Sequence, residues 1–263
     1  MEWLRTTPIG WLTLAVLGIL TLVTAFSIAV GYAWERMAQR AGRTISAMPL
    51  KRGQRTHEIL GTVLFHAVFV PPLAYALHTG LIRFSDGWLA NLLGFAVPWY
   101  GFVALYYALH RSMHARRLFW MHRWHHDSVV TTPVTGFSMH PIEAAGWTLA
   151  MLVPSIVLAR FQLLGVGGWL VYLGSLWFGN IVGHANAELW PWRSEPWMTT
   201  SVNPISYHSL HHLRFDGHYG FGNALFDRLF GTEFPDWLAI HDRVRTGKPL
   251  TSPREKMPDR AAS

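Results

Sequence analysis

Residues 110–126 read HRSMHARRLFWMHRWHH, in which five of seventeen positions are histidine. On a helix, His110 and His114 lie one turn apart on a single face, and His122, His125 and His126, at i, i+3 and i+4, share a face as well. The second spacing returns at His208, His211 and His212, and a lone His184 stands two and four residues ahead of Asn186 and Glu188. Imidazole suits Fe, Zn, Cu and Ni. One ion takes at most roughly six ligands, so eight clustered histidines with His184 as a ninth argue for two metals. Helical dinuclear sites use the same i, i+3 geometry with carboxylates. Carboxylates are scarce around these clusters, so the ligand shell is expected to be almost entirely neutral nitrogen.

Working outward, the histidine-rich segments lie between apolar runs. The first, about Pro8 to Trp34, is long enough at ~1.5 Å per residue to cross a hydrocarbon core of ~30 Å. It exceeds a secretory h-region and no small-x-small cleavage site follows, so it reads as a membrane anchor. Further runs cover about Ile59 to His78, Trp88 to Leu109, Ala144 to Leu158 and Gly167 to Val182, the last two a potential helical hairpin. Pro71-Pro72 is expected to kink or end the second run. The polar stretch from Glu35 to His57 holds six basic residues: Arg36, Arg40, Arg43, Lys51, Arg52 and Arg55. The positive-inside rule sets it in the cytoplasm. Alternation across five spans then brings 110–140 and 184–263 to the same side, so every histidine cluster falls on one face of the membrane without having been used in the assignment.

Composition agrees. Hydrophobic residues make up 51% and charged residues 14% of the 263, against about 25% charged in soluble domains. Many of the 14 Trp sit at the ends of apolar runs, where the ring is buried and the N–H stays wet. The net charge of +7 comes from residues flanking apolar segments and reflects topology rather than nucleic-acid binding. The absence of cysteine excludes disulfides, thiolate metal sites and Fe–S clusters, and leaves the redox compartment undecided.

The motif set from about Leu105 to Trp237 resembles the fatty acid hydroxylase/sterol desaturase superfamily. It comprises HRSMH at 110–114, HRWHH at 122–126, HPIE at 140–143, HANAE at 184–188, YHSLHH at 207–212, HYGFGN at 218–223 and FDRLFGTEF at 226–234. The resemblance covers half the chain and is specific as a set, although any one box alone is weak. It implies an all-α integral membrane bundle of four or five spans beneath a cytoplasmic, histidine-rich helical cap holding two irons. It implies ligand roles for His110, His114, His122, His125, His126, His208, His211 and His212, with His184 joining them. Some branches carry a second histidine where this chain has Glu188, which makes Glu188 either a ligand in a mixed shell or a residue supporting the ligands. His140 is either a further ligand or a helix-entry residue before an N1 proline. Asn186, His218, Tyr219 and Asn223 are candidates to orient the ligand imidazoles. Asp227 and Gly231 read as shaping a helix and a turn. His57, His78 and His241 read as interfacial residues, and His66 as a packing residue or part of a substrate path.

The expected activity is O₂-dependent hydroxylation or desaturation of an unactivated C–H bond of a lipid such as a sterol or fatty acyl chain. Electrons come from a separate ferredoxin, cytochrome b5 or flavin reductase, because no dinucleotide fingerprint, Fe–S ligand or cytochrome b5 motif is present. A basic face including Arg111, Arg116, Arg117 and Arg123 either steers an acidic donor or simply follows the positive-inside bias. The segments divide as a membrane anchor with a basic cytoplasmic loop (1–58), a catalytic membrane domain (59–245) and a Pro- and charge-rich tail expected to be disordered (246–263). Residues 188–203, rich in Pro and Trp, are a candidate lid. A bacterial inner membrane is the expected location; an endoplasmic reticulum membrane leaves the chemistry unchanged. The alternative is a non-catalytic membrane metal-binding or metal-transport protein, which places His and carboxylates along a path inside the spans. A bis-histidine haem carrier needs a partner at the depth of His66, and none exists.

Overall fold

The computed structural model describes residues 2–258. Among these described residues ten α-helices follow one another: α1 (Trp3–Thr6), α2 (Ile9–Arg40), α3 (Gln54–His78), α4 (Trp88–Met113), α5 (Phe119–His126), α6 (Pro141–Arg160), α7 (Val166–Gly183), α8 (Ile205–Arg214), α9 (Leu225–Leu229) and α10 (Trp237–Arg245). No strand occurs among the described residues, only isolated bridges pairing Thr44 with Ala187 and Ser46 with Leu250.

Five of these helices, α2, α3, α4, α6 and α7, are long and apolar enough to cross a membrane. Their outward faces carry exposed large apolar side chains, among them Leu14, Leu22, Phe26, Val63, Leu92, Leu149 and Val171. In water such a belt is an aggregation surface; in lipid it is the solvated face. The chain reads as an integral membrane protein.

The five spans close into a ring. α3 lies between α2 and α6, α4 between α6 and α7, and α7 returns to α2. The closest approach is α4 against α7, made possible by missing side chains: a Cβ on Gly94 would sit 2.6 Å from the Gly165 carbonyl oxygen, and one on Gly168 would overlap that of Asn91. Small residues at such crossings let backbones pack directly. α6 and α7 also touch through long side chains, with Trp169 Nε1 donating to Ser155 Oγ and Tyr172 Oη to the Met151 carbonyl.

α3 does not end at Pro71-Pro72 but continues to His78. Phe69, Val70, Leu73 and Ala74 on either side of the pair are all buried, and packing on neighbouring helices offsets the lost backbone bonds, as it commonly does in membrane spans. His66 is buried and bonded through both ring nitrogens, to Thr24 Oγ1 and the Thr62 carbonyl. It lines neither of the cavities described below, so packing is its role.

At one end of the ring the short connections meet: Ser85 N donates to the Leu164 carbonyl, and His78 Nδ1 to that of Leu4. At the other end residues 41–53, 114–140 and 184–258 form a cap. The apolar centre of this cap is Ile45, Tyr207, Leu210, Trp237, Ile240, Val244 and Leu250. The segment after Thr246 departs from the expected disorder. Leu250 is buried, the Met257 amide donates to Asp236, and Arg243 pairs with Glu255 at 2.8 Å. Apolar Leu250 and the ion pairs dock it on the cap; the same expectation for 259–263 falls outside the described residues.

Candidate metal centre

The cap brings nine histidines into two groups. His110, His114, His122, His126 and His211 form one; His125, His184, His208 and His212 form the other; in each the ring nitrogens lie within 4.8 Å of one another. α4, α5, α7 and α8 supply all nine, His114 and His184 as the C-cap residues of α4 and α7. Each H-x-x-H-H box is divided. At ~100° per residue, positions i and i+4 on a helix differ by about 40°, while i+3 and i+4 differ by about 100°. His122 and His126 therefore turn toward one group and His125 toward the other. On α8 the polarity is reversed: His208 and His212 stay together while His211 crosses over.

Six of the rings are fixed through Nδ1, which donates to the carbonyls of Tyr219 (His110, 2.8 Å), Ser138 (His125, 3.2 Å), Asn180 (His184, 2.6 Å), Gly217 (His211, 2.6 Å) and Ser128 (His212, 3.0 Å), and to the Glu143 carboxylate (His122, 2.7 Å). With Nδ1 carrying the proton, each Nε2 presents a lone pair. Nε2 atoms meet at 3.0–3.2 Å in four pairs, His110–His122, His114–His126, His126–His211 and His184–His208, and in the first both rings carry the proton on Nδ1. His212 Nε2 is buried and has no hydrogen-bond partner at all. In the His110–His122 pair two lone pairs meet with no proton between them, a repulsion that a cation resolves. The donor set thus fits two metal ions held by nitrogen.

Burial also sets protonation. It pushes His114, His122 and His184 down to about 3 and His125 to about 4, and holds His126, His208, His211 and His212 well below the ordinary imidazole range, neighbouring histidines adding to the effect. Neutral imidazole is the metal-binding form.

Residues expected near the metals fall into three sets. His140 joins neither group: it is the N-cap of α6, with Nδ1 accepting from Ile142 N at 3.2 Å, directly before Pro141. Glu188 also stays out of both groups. Its buried carboxylate accepts from Ser206 N and Trp190 N and faces His241 Nδ1 at 3.3 Å. Burial raises that carboxyl, but His241 and the two amides outweigh it and hold it below its usual range. Glu188 anchors the start of α8, and through it His208, His211 and His212. His241, expected at the interface, is fully buried in this network because Ser206, Glu188 and the Trp192 carbonyl satisfy its ring.

Tyr219 hydrogen-bonds a cluster histidine through its carbonyl, and its ring packs against His110, His114 and His211. Asp227 clamps that turn, accepting from Tyr219 N, Gly220 N, Tyr207 Oη and Thr232 Oγ1. Burial raises its carboxyl to about 6 against the pull of those bonds. His218 lies under α8, stacked 3.5 Å from the Tyr207 ring, donating to the Tyr207 carbonyl and accepting from Phe234 N. Asn186 ties Ser46 to the cap, and Asn223 accepts from Leu225 N. None of these three side chains bonds a cluster histidine.

Two carboxylates escaped the sequence reading. Glu143 holds His122 and accepts from Trp147 Nε1. Glu58 is fully buried and accepts from Gln54 Nε2, Ser128 Oγ, Thr132 Oγ1 and Thr135 Oγ1, fixing the loop whose Ser128 carbonyl holds His212. The available signal was an acidic residue inside or at the edge of an apolar run.

The profile of the fatty acid hydroxylase family matches residues 95–232, which span all of these histidines. The chain belongs to the fatty acid hydroxylase family. That family consists of oxidoreductases, and its members include relatives named as aldehyde decarbonylases. Protein CER1-like 1 of Arabidopsis thaliana is 34% identical over 49% of this chain. The very-long-chain aldehyde decarbonylase GL1-6 of Oryza sativa subsp. indica is 30% identical over 55%, and the very-long-chain aldehyde decarbonylase CER1 of Arabidopsis thaliana 33% over 49%. The matched region covers 21% to 23% of the length of these relatives. No solved structure matches the chain.

Two cavities adjoin the centre. One, of about 30 Å³, touches His122 and His125, one from each group, and is walled by Phe65, Phe137 and Trp147. The other, of about 360 Å³, reaches His184 and His208. Asn180 and Phe221 border both.

Proposed function

We propose that this chain is a membrane di-iron oxygenase that hydroxylates or desaturates an unactivated C–H bond of a lipid. The observation that carries it is the division of nine neutral histidines into two adjacent groups beside a small apolar cavity. Two bound irons would supply reduction of O₂, with two electrons and two protons from outside, and oxidation of the C–H bond. His110, His114, His122, His126 and His211 would hold one iron, and His125, His184, His208 and His212 the other.

The chain's own residues do the rest. The Nδ1 contacts fix ring orientation, so the nitrogens converge before any ion arrives. Burial keeps the rings neutral at physiological pH. The cavity against His122 and His125 has room for little more than a water-sized molecule, and its aromatic walls exclude bulk water from the space beside the histidines that would hold the irons. The substrate enters from the bilayer, and positioning decides which carbon reacts.

Electrons arrive on the cap side from a separate carrier, a ferredoxin, cytochrome b5 or flavin reductase. The cap faces the cytoplasm, consistent with Arg36, Arg40, Arg43, Lys51, Arg52 and Arg55 at that end, and a bacterial inner membrane is the proposed location. The relatives' names extend the substrate range to long-chain aldehydes.

The test is iron per chain in purified protein, beside a His125→Ala/His211→Ala variant that takes one histidine from each group. About two irons, lost in the variant, support the reading. Iron no higher in the wild type than in the variant, after iron-replete expression, sinks it and revives a non-catalytic role for the histidines.

A further inference from the structure

The larger cavity runs from the outer surface of the bundle to His184 and His208. Its outer edge includes Trp34 and Val202, which are 42% and 48% exposed. Its floor is a face of α7 where Gly179 and Gly183 stand one turn apart, and a Cβ added to either would meet nothing within 4 Å. Absent side chains therefore make part of the space. At about 360 Å³ it falls in the size range of small-molecule sites, roughly 300–1,000 Å³.

The lining contains no Asp, Glu, Lys or Arg. Away from the inner end, where His184 and His208 would hold an iron, a carboxylate or phosphate would lose its hydration with no charged side chain to compensate it. Two residues of the lining nevertheless carry a polar side-chain atom that is closed off and unpartnered: the Trp190 Nε1 donor and the Asn203 Oδ1 acceptor. Each such orphan costs about 1–3 kcal/mol unless a partner arrives. Once either side chain turns toward the cavity, a hydroxyl answers both atoms and a carbonyl answers the tryptophan.

We infer that this cavity is the binding site for a neutral lipid bearing a hydroxyl or carbonyl, admitted from the bilayer over the Gly179–Gly183 face, and that Gly179 sets what fits. This deepens the oxygenase reading and rests on it for the purpose of the site. The occupant's polar group meets Trp190 and Asn203, its hydrocarbon lies along α7, and Phe221 separates it from the smaller cavity beside His122 and His125.

The experiment uses iron-loaded protein in phosphatidylcholine nanodiscs with two photoreactive probes, a diazirine-bearing hexadecanol and the matching carboxylate. Crosslinks are mapped by mass spectrometry. The alcohol is expected to label 175–190 and 201–208, to be displaced by plain hexadecanol or a fatty aldehyde, and to exceed the carboxylate about tenfold. Gly179→Leu should cut this labelling about tenfold with iron content unchanged. Gly174→Leu, at an equally open glycine outside the cavity, should leave it alone. Should Gly179→Leu fail to fold, Gly179→Ala must still show a graded loss. Equal labelling by the carboxylate, or labelling indifferent to Gly179 in iron-replete protein, overturns the inference. Gly179-dependent labelling in a chain that binds no iron supports the cavity while removing the oxygenase reading.

Discussion

His122 Nδ1 lies 2.7 Å from Glu143 Oε1, with 1% and 0% of the two side chains exposed. The contact links α5 to the first turn of α6 and directs His122 Nε2 at His110 Nε2, 3.1 Å away. A buried carboxylate behind a metal-facing imidazole fixes its tautomer and raises its basicity.

Replacing Glu143 with Ala is therefore expected to weaken metal binding by about 10–100-fold. Gln, which keeps an acceptor oxygen, should recover much of the loss. Chelator competition on both variants reads this directly, and an Ala variant with wild-type affinity would contradict the role.

Neighbouring histidines should behave differently. His126→Ala and His125→Ala remove ligands from different groups. Each should lower iron from about two per chain to about one, with distinct changes in the Mössbauer spectrum of the remaining ion. Identical spectra from the two variants would mean the groups are not separate sites.

Glu58 is the hinge between α3 and the 128–135 loop. Glu58→Ala leaves Ser128, Thr132, Thr135 and Gln54 without their acceptor, a loss of about 3 kcal/mol or more. A lower melting temperature in detergent should accompany reduced iron content, because the Ser128 carbonyl then no longer holds His212 in place.

The α4–α7 crossing predicts a contrast between glycines. Gly168→Ala forces its Cβ onto the Asn91 carbonyl and should lower the yield of monodisperse protein. Gly18→Ala on α2, where a Cβ meets nothing within 4 Å, should be neutral by the same gel-filtration assay.

Acid should unfold the metal-free protein early. Burial holds His218 down at about 3, whereas the unfolded side chain titrates near ~6.5. A base with a depressed folded pKa contributes stability above the unfolded value and loses it as the pH falls toward the folded one. The cluster histidines shift in the same direction. Buried carboxyls such as Asp227, raised to about 6, work the opposite way but are outnumbered by the histidines. Melting temperature should fall steadily from about pH 6.5 to about pH 4; a flat profile would show these rings to be solvated.

Much of this architecture is written along the chain. Apolar runs of bilayer length give five spans, basic flanks give their common end, and the i, i+3, i+4 histidines give a nitrogen-rich centre, because hydropathy and helical period are local properties. Even the division of each box follows from helical angles once two centres are assumed. Tertiary structure alone decided the rest. Whether i and i+4 turn toward one group or the other depends on how α5 and α8 are rotated against each other. Glu143, Glu58 and Glu188 became supports of the centre because those roles depend on what a fold brings near a side chain across more than a dozen residues, whereas the capping role of His140 is a local contact that the following proline already offered. The empty face of α7 is likewise invisible in a line of glycines: the same residue type closes the α4 crossing at Gly168 and opens a cavity at Gly179, and only the neighbours tell the two apart.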